Sequence, residues 1–210
     1  MADLINNAPV IAKVFKSLTL LLRTKVKNKI KSGLTWSTGS VLFKAILLVA
    51  QMILLARMLS SEELGQIVVL NVIIGLVYLL SDLGLTSAVI YDNKLPKATL
   101  AQLQAINIYF GLFLSILLAF LAESISNFYG VKELKSLILM IAPVFLMKSL
   151  GLQSYALSQR ELNFSVIAKV DIVSTFFGFL TLLFSLFIGA GIYSIVVMQM
   201  TTAILFSFLS

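Results

Sequence analysis

The sequence predicts an all-α, polytopic membrane protein, and three observations support this fold class. Hydrophobic residues make up 60% of the 210 residues and charged residues only 12%, whereas a soluble domain is about half apolar and about a quarter charged. The mean hydropathy is +1.04. The apolar residues are grouped into six segments, each close to the ~20 residues with which a helix crosses a ~30 Å hydrocarbon core. We therefore expect one six-helix transmembrane bundle.

The six predicted spans follow one another with short connections. We place them at 36–59, 64–81, 101–127, 137–157, 166–188 and 193–210. Ser60 and Glu63 form a capping-box pattern before the second span, and Pro96 stops helical continuation before the third. The predicted organisation is therefore a basic segment over 1–31 and a bundle over 32–210. Because the sequence stops inside an apolar run, we expect a truncated chain, one half of a larger protein.

The amino-terminal segment is strongly basic. Seven of the sixteen Lys and Arg residues lie within residues 1–31, against a single acid, Asp3. A basic segment beside a membrane span marks the cytoplasmic side and contacts anionic lipid, and we favour this interpretation over nucleic-acid binding. The sequence therefore predicts a multi-pass plasma-membrane protein with a cytoplasmic amino terminus.

The absence of two residue types excludes several classes of function. The sequence contains neither cysteine nor histidine. Disulfides, thiol nucleophiles and most metal sites and catalytic triads depend on one of these residues. We therefore expect no bound metal or other cofactor.

Polar residues inside the spans are the candidate functional residues, because they are costly in hydrocarbon and usually face a bundle interior or a water-filled cavity. In five spans they recur at steps of three, four or seven residues, which gives each helix one polar face. We expect the Ser, Thr and Gly positions on these faces to be packing seams. The candidates for a substrate cavity are Lys44, Gln51, Asn71, Tyr78, Asp82, Lys148, Tyr155 and Asp171.

Three charged residues among these candidates have different expected roles. Lys148 lies near the middle of its span, where we favour a position in a cavity. Lys44 lies about 12 Å inside its span at 1.5 Å per residue, so both a cavity role and partial relief by snorkelling stay open. Asp82 can cap a following short helix, pair with an interior lysine, or bind a coupling ion.

Two stretches resemble a known family. "KSGLTWSTGS" and "ILLARMLSSEELGQIVVLNVIIGLVYLLSDLGLTSAVIYDNK" are similar to the amino-terminal part of bacterial polysaccharide flippases, the lipopolysaccharide-type exporters of the multidrug/oligosaccharidyl-lipid/polysaccharide superfamily. The matching positions, in the family's order and spacing, are Ser32, Gly33 and Trp36; Ala56, Arg57, Leu59, Ser60, Glu62 or Glu63 and Gly65; and Ser81, Asp82, Leu83, Gly84 and Leu85. The long basic extension before them departs from the family's short start.

The resemblance implies both an architecture and an activity. Flippases of this kind have two six-helix bundles around a central cavity, and they move undecaprenyl-pyrophosphate-linked oligosaccharide from the inner to the outer leaflet of the bacterial inner membrane by alternating access. The implied partners are this lipid-linked oligosaccharide, membrane lipids and a missing carboxy-terminal bundle. Independently of the family, lysines in a low-dielectric cavity suit an anionic diphosphate.

Two other classes of function stay open. A membrane-embedded glycan polymerase or ligase would need clustered acids, Arg or His in an external loop, and the longest predicted external loop has only Glu133 as an acid, which argues against it. A structural or assembly subunit would use the polar faces for packing alone. Accessibility of an interior cavity distinguishes a flippase from such a subunit.

Overall fold

The computed structural model describes residues 35–81 and 96–210, which form helices joined by short connections. The helices are α1 (Thr35–Met58), α2 (Ser61–Ser81), α3 (Lys97–Tyr129), α4 (Lys132–Ile141), α5 (Pro143–Arg160), α6 (Phe164–Phe187) and α7 (Tyr193–Leu209). The described residues contain no strand, which confirms the predicted all-α class. The basic segment 1–31 and Asp82 lie outside the described residues.

Five of the predicted membrane spans are long and apolar enough to cross a bilayer. They are Thr35–Met58, Ser61–Leu79, Thr99–Tyr129, Lys132–Arg160 and Phe164–Phe187. The sixth predicted span corresponds to α7, which is apolar but shorter than the other five, at 17 residues. By length and composition the described residues therefore give five spans where six were predicted.

The fourth span is interrupted, which the sequence analysis did not predict. We expected one continuous helix over 137–157, but α4 ends at Ile141 and α5 begins at Pro143. Proline has no N–H to donate and its ring clashes with the carbonyl four residues earlier, so the helical hydrogen bonding is broken there. Ala142 keeps helical backbone angles, with φ −52° and ψ −42°, and the two helices together form one apolar segment of 29 residues.

The start of α2 has the predicted capping box. The Ser60 N–H donates to the Glu63 carboxylate at 2.8 Å, and the Glu63 N–H donates to the Ser60 hydroxyl at 3.3 Å. These bonds satisfy two backbone amides near a helix start, where partners within the helix are lacking. The connection between α1 and α2 is therefore closed by local hydrogen bonds.

Small residues allow the helices to approach closely. A Cβ at Gly111 would lie 2.6 Å from the Ser149 hydroxyl, so α3 lies directly against α5. A Cβ at Gly151 would lie 2.9 Å from Cα of Ser207 in α7, and Gly178 of α6 contacts α7 in the same way. The main packing pairs are α3 with α5, α5 with α7 and α6 with α7. These glycines therefore form packing seams, as expected from their spacing.

The bundle divides into two halves along its length. One half contains α4 and the helix segments around it, and its side chains form a closely packed apolar core in which Leu70, Leu137, Leu182 and Val196 are at most 1% exposed. We call this the closed half. The other half contains the start of α1 and the connection between α5 and α6, and it encloses open space. We call this the cavity half.

Candidate functional site

The cavity half contains a cavity of about 410 Å³, here called the central cavity. Every described helix except α4 contributes to its wall. The lining residues are Lys44, Tyr78, Asn107, Phe110, Gly111, Phe145, Lys148, Ser149, Leu152, Tyr155, Gln159, Asp171, Ser174, Thr175, Thr202 and Phe206. Aromatic and apolar side chains with a few charged, amide and hydroxyl groups are typical of a ligand site.

Lys148 lies against an aromatic ring in the wall of the central cavity. Its Nζ atom lies 4.3 Å from the centroid of the Tyr78 ring, which is within the range of cation–π attraction. The Tyr78 ring also packs against Phe145, with centroids 5.2 Å apart. Within residues 35–81 and 96–210, no carboxylate lies within ion-pair distance of Lys148. Among the described residues, its ammonium group therefore has an aromatic partner and no carboxylate in ion-pair contact.

Lys44 has a different environment because it forms an ion pair. Its Nζ donates to Asp171 Oδ2 at 2.6 Å and so connects α1 to α6. The Tyr155 hydroxyl lies 3.4 Å from each oxygen of the same carboxylate, a distance at which hydrogen bonds are weak. The side chain of Lys44 is 38% exposed and that of Asp171 17%, so the carboxylate is the more deeply placed partner.

A second cavity of about 410 Å³ adjoins the central cavity. Tyr155, Gln159 and Asp171 line both cavities, so the two meet at these three side chains. The second cavity continues towards the beginnings of α1 and α6, and we call it the end cavity. The rest of its wall is formed by Ser37, Ser40, Val41, Phe164, Ile167 and Ala168.

The structure brings together most of the residues that were predicted to line a cavity. Lys44, Tyr78, Lys148, Tyr155 and Asp171 all line the central cavity. Gln51 is half-buried further along α1 and Asn71 is exposed, and neither lines the central or the end cavity. Asp82 is not among the described residues, so its predicted pairing with an interior lysine stays a prediction.

The geometry of α2 explains why Asn71 and Tyr78 differ although they share a face. Ile67, Leu70 and Ile74 form the buried face of α2, and Asn71 and Tyr78 both lie on its flank. The long Tyr78 side chain reaches the central cavity from there. Asn71 lies two turns earlier, about 10 Å along the axis, beside Leu70 of the closed half, and its side chain stays on the exposed surface of the helix.

Two amide residues of the central cavity were not among the predicted candidates. Asn107 lies within the third predicted span, on its polar face. An uncharged amide at such a position can line a cavity or lie in a packing seam, so the sequence alone did not make it a candidate. Gln159 lies at the end of α5, beyond the predicted span. It is four residues from Tyr155 and so shares a helix face with it, which could have indicated that Gln159 lines the same cavity.

The described residues place a lysine without an ion-pair partner in the central cavity and show no metal site. Within residues 35–81 and 96–210, no group of three or more Asp or Glu side chains lies close enough to hold a metal ion. The site instead has an ammonium group, hydroxyls and amides around a mostly apolar cavity, where charges interact more strongly than in water. Such an arrangement suits a ligand with a phosphate group and an apolar part.

Comparison with known proteins agrees with this membrane architecture. Residues 54–210 match a family described as "Polysaccharide biosynthesis protein". A Klebsiella pneumoniae protein described as "Uncharacterized membrane protein in cps region" is 32% identical over 154 residues, which cover 73% of this chain and 32% of that protein.

Two further relatives have described roles. The "Teichuronic acid biosynthesis protein TuaB" of Bacillus subtilis (strain 168) is 27% identical over 174 residues, covering 83% of this chain and 36% of that protein. The "Lipopolysaccharide biosynthesis protein WzxC" of Escherichia coli (strain K12) is 28% identical over 154 residues, covering 73% of this chain and 31% of that protein. No solved structure matches the chain.

The family match includes most of the described helices. It runs from the last part of α1 to the end of the sequence, and the chain spans about a third of the length of the curated relatives it matches. The resemblance to polysaccharide flippases is confirmed at the level of the family. The chain therefore belongs to the polysaccharide biosynthesis protein family, as a membrane protein of that family.

Proposed function

We propose that the chain is the amino-terminal bundle of a flippase, which moves undecaprenyl-pyrophosphate-linked oligosaccharide from the inner to the outer leaflet of the bacterial inner membrane. The observation that supports this most directly is Lys148, an ammonium group in the central cavity with no carboxylate partner among the described residues. A diphosphate is anionic, and its attraction to an ammonium group is strong in a low-dielectric site.

In this proposal the described helices form one wall of the transport pathway. A carboxy-terminal bundle, in the same chain or in a partner protein, forms the other wall. The matched stretch covers only about a third of each relative, which supports a larger functional unit. The basic segment 1–31 supports a cytoplasmic amino terminus. Transport of this kind requires positioning and conformational change, and no covalent step.

The charge of Lys148 provides the test of this function. In the complete protein, Lys148→Gln should leave expression unchanged but reduce export, because the diphosphate loses its cation. Lys148→Arg should retain part of the export, and Lys148→Glu should be the most defective variant because a carboxylate repels the phosphates. The measurement is surface polysaccharide in a flippase-deficient strain, at matched levels of membrane-inserted protein.

Lys148→Leu separates substrate binding from helix packing. If Lys148 served only in packing, leucine would be tolerated or even stabilising, because the change removes a buried charge. We expect instead that export is lost while protein levels stay normal. Lys135→Gln is the matched control, because Lys135 forms an exposed ion pair with Glu123, 3.1 Å away, and does not line the cavity. Near-normal export with Lys148→Leu would contradict the proposal.

A further inference from the structure

The ion pair between Lys44 and Asp171 lies at the junction of the two cavities. Asp171 lines both cavities, whereas Lys44 lines the central cavity and Ser40, one turn earlier on α1, lines the end cavity. The 2.6 Å contact therefore joins α1 to α6 at the level where the end cavity meets the central cavity.

Much of α1 is exposed, although Ser40, one turn before Lys44, is buried. Only 11% of the most apolar part of α1 is buried. Beside the ion pair, Phe43 contacts Phe176 of α6 with ring centroids 6.3 Å apart. The ion pair and this aromatic contact therefore both join α1 to α6 near the junction.

The α5 side of the junction is held by aromatic packing. The Tyr155 ring contacts Phe206 of α7, with centroids 5.2 Å apart. Its hydroxyl makes long contacts to Asp171 and also interacts with the Gln159 side chain. Because this side is packed against a neighbouring helix, widening the junction requires separation of Lys44 from Asp171.

We propose that the Lys44–Asp171 ion pair is a barrier between the end cavity and the central cavity, and that Asp171 controls entry to the central cavity from this end of the bundle. Two opposite charges in a partly buried site attract each other more strongly than in water. Their contact therefore keeps the passage closed to solutes. An anion that reaches Lys44 competes with Asp171 for the same ammonium group, which provides a way to open the passage.

This inference goes beyond the proposed function, because it concerns access to the cavity and not the identity of the transported molecule. A barrier formed by this ion pair would be present for any solute that enters from the end cavity. Its test therefore uses labelling of the protein itself and requires no glycan substrate.

Cysteine labelling can test the barrier because the chain contains no cysteine of its own. Thr175→Cys places a thiol in the central cavity, and Ser37→Cys places one in the end cavity. Each variant of the 210-residue chain is reconstituted in lipid nanodiscs, whose lipid excludes a charged methanethiosulfonate reagent from the sides of the bundle. We expect fast labelling at position 37 and slow labelling at position 175.

Removal of both charges should open the barrier without leaving one of them unpaired. In the double variant Lys44→Ala/Asp171→Ala, labelling at position 175 should rise at least about tenfold, which corresponds to only about 1.4 kcal/mol in the closing equilibrium. Labelling at position 37 should not change. The reversed pair Lys44→Asp/Asp171→Lys should restore slow labelling at position 175, and Asp171→Glu, which keeps the original charges, should also remain slow.

Three results would contradict the barrier. Unchanged labelling at position 175 in the double alanine variant would show that the ion pair does not close the passage. Fast labelling in both charge-preserving variants would show that an ion pair between positions 44 and 171 is not sufficient to close the passage. An equal rise at positions 37 and 175 would show general loosening of the bundle.

Discussion

The closed half and the cavity half of the bundle hold their helices together by different means. In the closed half, side chains such as Leu137 and Leu182 are fully buried against one another, and dense apolar packing provides the contacts. In the cavity half, an ion pair and a lysine–aromatic contact lie beside two open volumes. The difference shows that one helix bundle can combine a densely packed end with an end that contains open, partly polar volume.

One pair of helices is firmly joined even beside the cavity. Gln104 of α3 donates to the Leu150 carbonyl at 2.9 Å, and Gln153 of α5 donates to the Leu100 carbonyl at 2.8 Å. These reciprocal bonds connect α3 and α5 in addition to the close approach at Gly111. The α3–α5 wall of the central cavity is therefore fixed, in contrast to the sparsely buried α1.

The largest expected difference between the halves follows from adding a charge to each. Leu182→Lys places an ammonium group among fully buried apolar side chains, which should cost roughly 5 kcal/mol because the charge has no partner there. Leu152→Lys, in the wall of the central cavity, should be tolerated much better. The yield of monodisperse protein in detergent and its unfolding temperature measure the difference. Equal losses in the two variants would show that the cavity half is as dry as the closed half.

A smaller difference is expected when side-chain volume is removed. Leu137→Ala leaves a new void in the closed half and should cost about 3 kcal/mol, as large-to-small changes do in packed cores. Leu152→Ala only enlarges a cavity that already exists and should cost less than half as much. Unfolding of both variants in one detergent measures the two changes, and the contrast between the halves fails if Leu152→Ala is the more damaging.

The smallest expected effect concerns a hydroxyl group within the cavity half. Tyr155→Phe removes two long contacts to Asp171 and one interaction with the Gln159 side chain. It should cost roughly 1 kcal/mol, because the long contacts contribute little and a single neutral hydrogen bond contributes about that much. Tyr78→Phe is the matched control, because the Tyr78 hydroxyl is buried and has no hydrogen-bond partner in the described structure. This control should be neutral or slightly stabilising in thermal unfolding. A clearly larger loss for Tyr155→Phe would show that this hydroxyl is important for holding Asp171.

Helix positions were largely predictable from the sequence. A helix that crosses the hydrocarbon of a bilayer needs a long apolar segment, and its backbone groups must be hydrogen-bonded within the helix. The predicted spans 36–59 and 166–188 closely match α1 and α6. The interruption at Pro143 was not predicted, because the surrounding residues remain apolar on both sides of it. The length of an apolar segment indicates where a span lies but does not show whether its helix is continuous.

The partners of the interior charges were not predictable in the same way. Both lysines were recognised as interior, yet Lys44 pairs with an acid 127 positions away, while Lys148 lies against an aromatic ring of α2. Such pairing depends on which helices are neighbours and on how each is rotated about its axis. Close approaches such as that at Gly111 determine those arrangements, and a single sequence contains no direct record of them.

The exposed ion pair near the end of α3 has a consequence for the depth of the binding site in the membrane. Glu123 and Lys135 are 68% and 46% exposed, and such a pair belongs among the lipid head groups or in water. An upright helix crosses the hydrocarbon in about 20 residues, so the bilayer midplane falls about ten residues before Glu123. Asn107, in the wall of the central cavity, then lies in the opposite leaflet. A charged ligand that enters from the head groups of that leaflet can reach the cavity without crossing the middle of the bilayer.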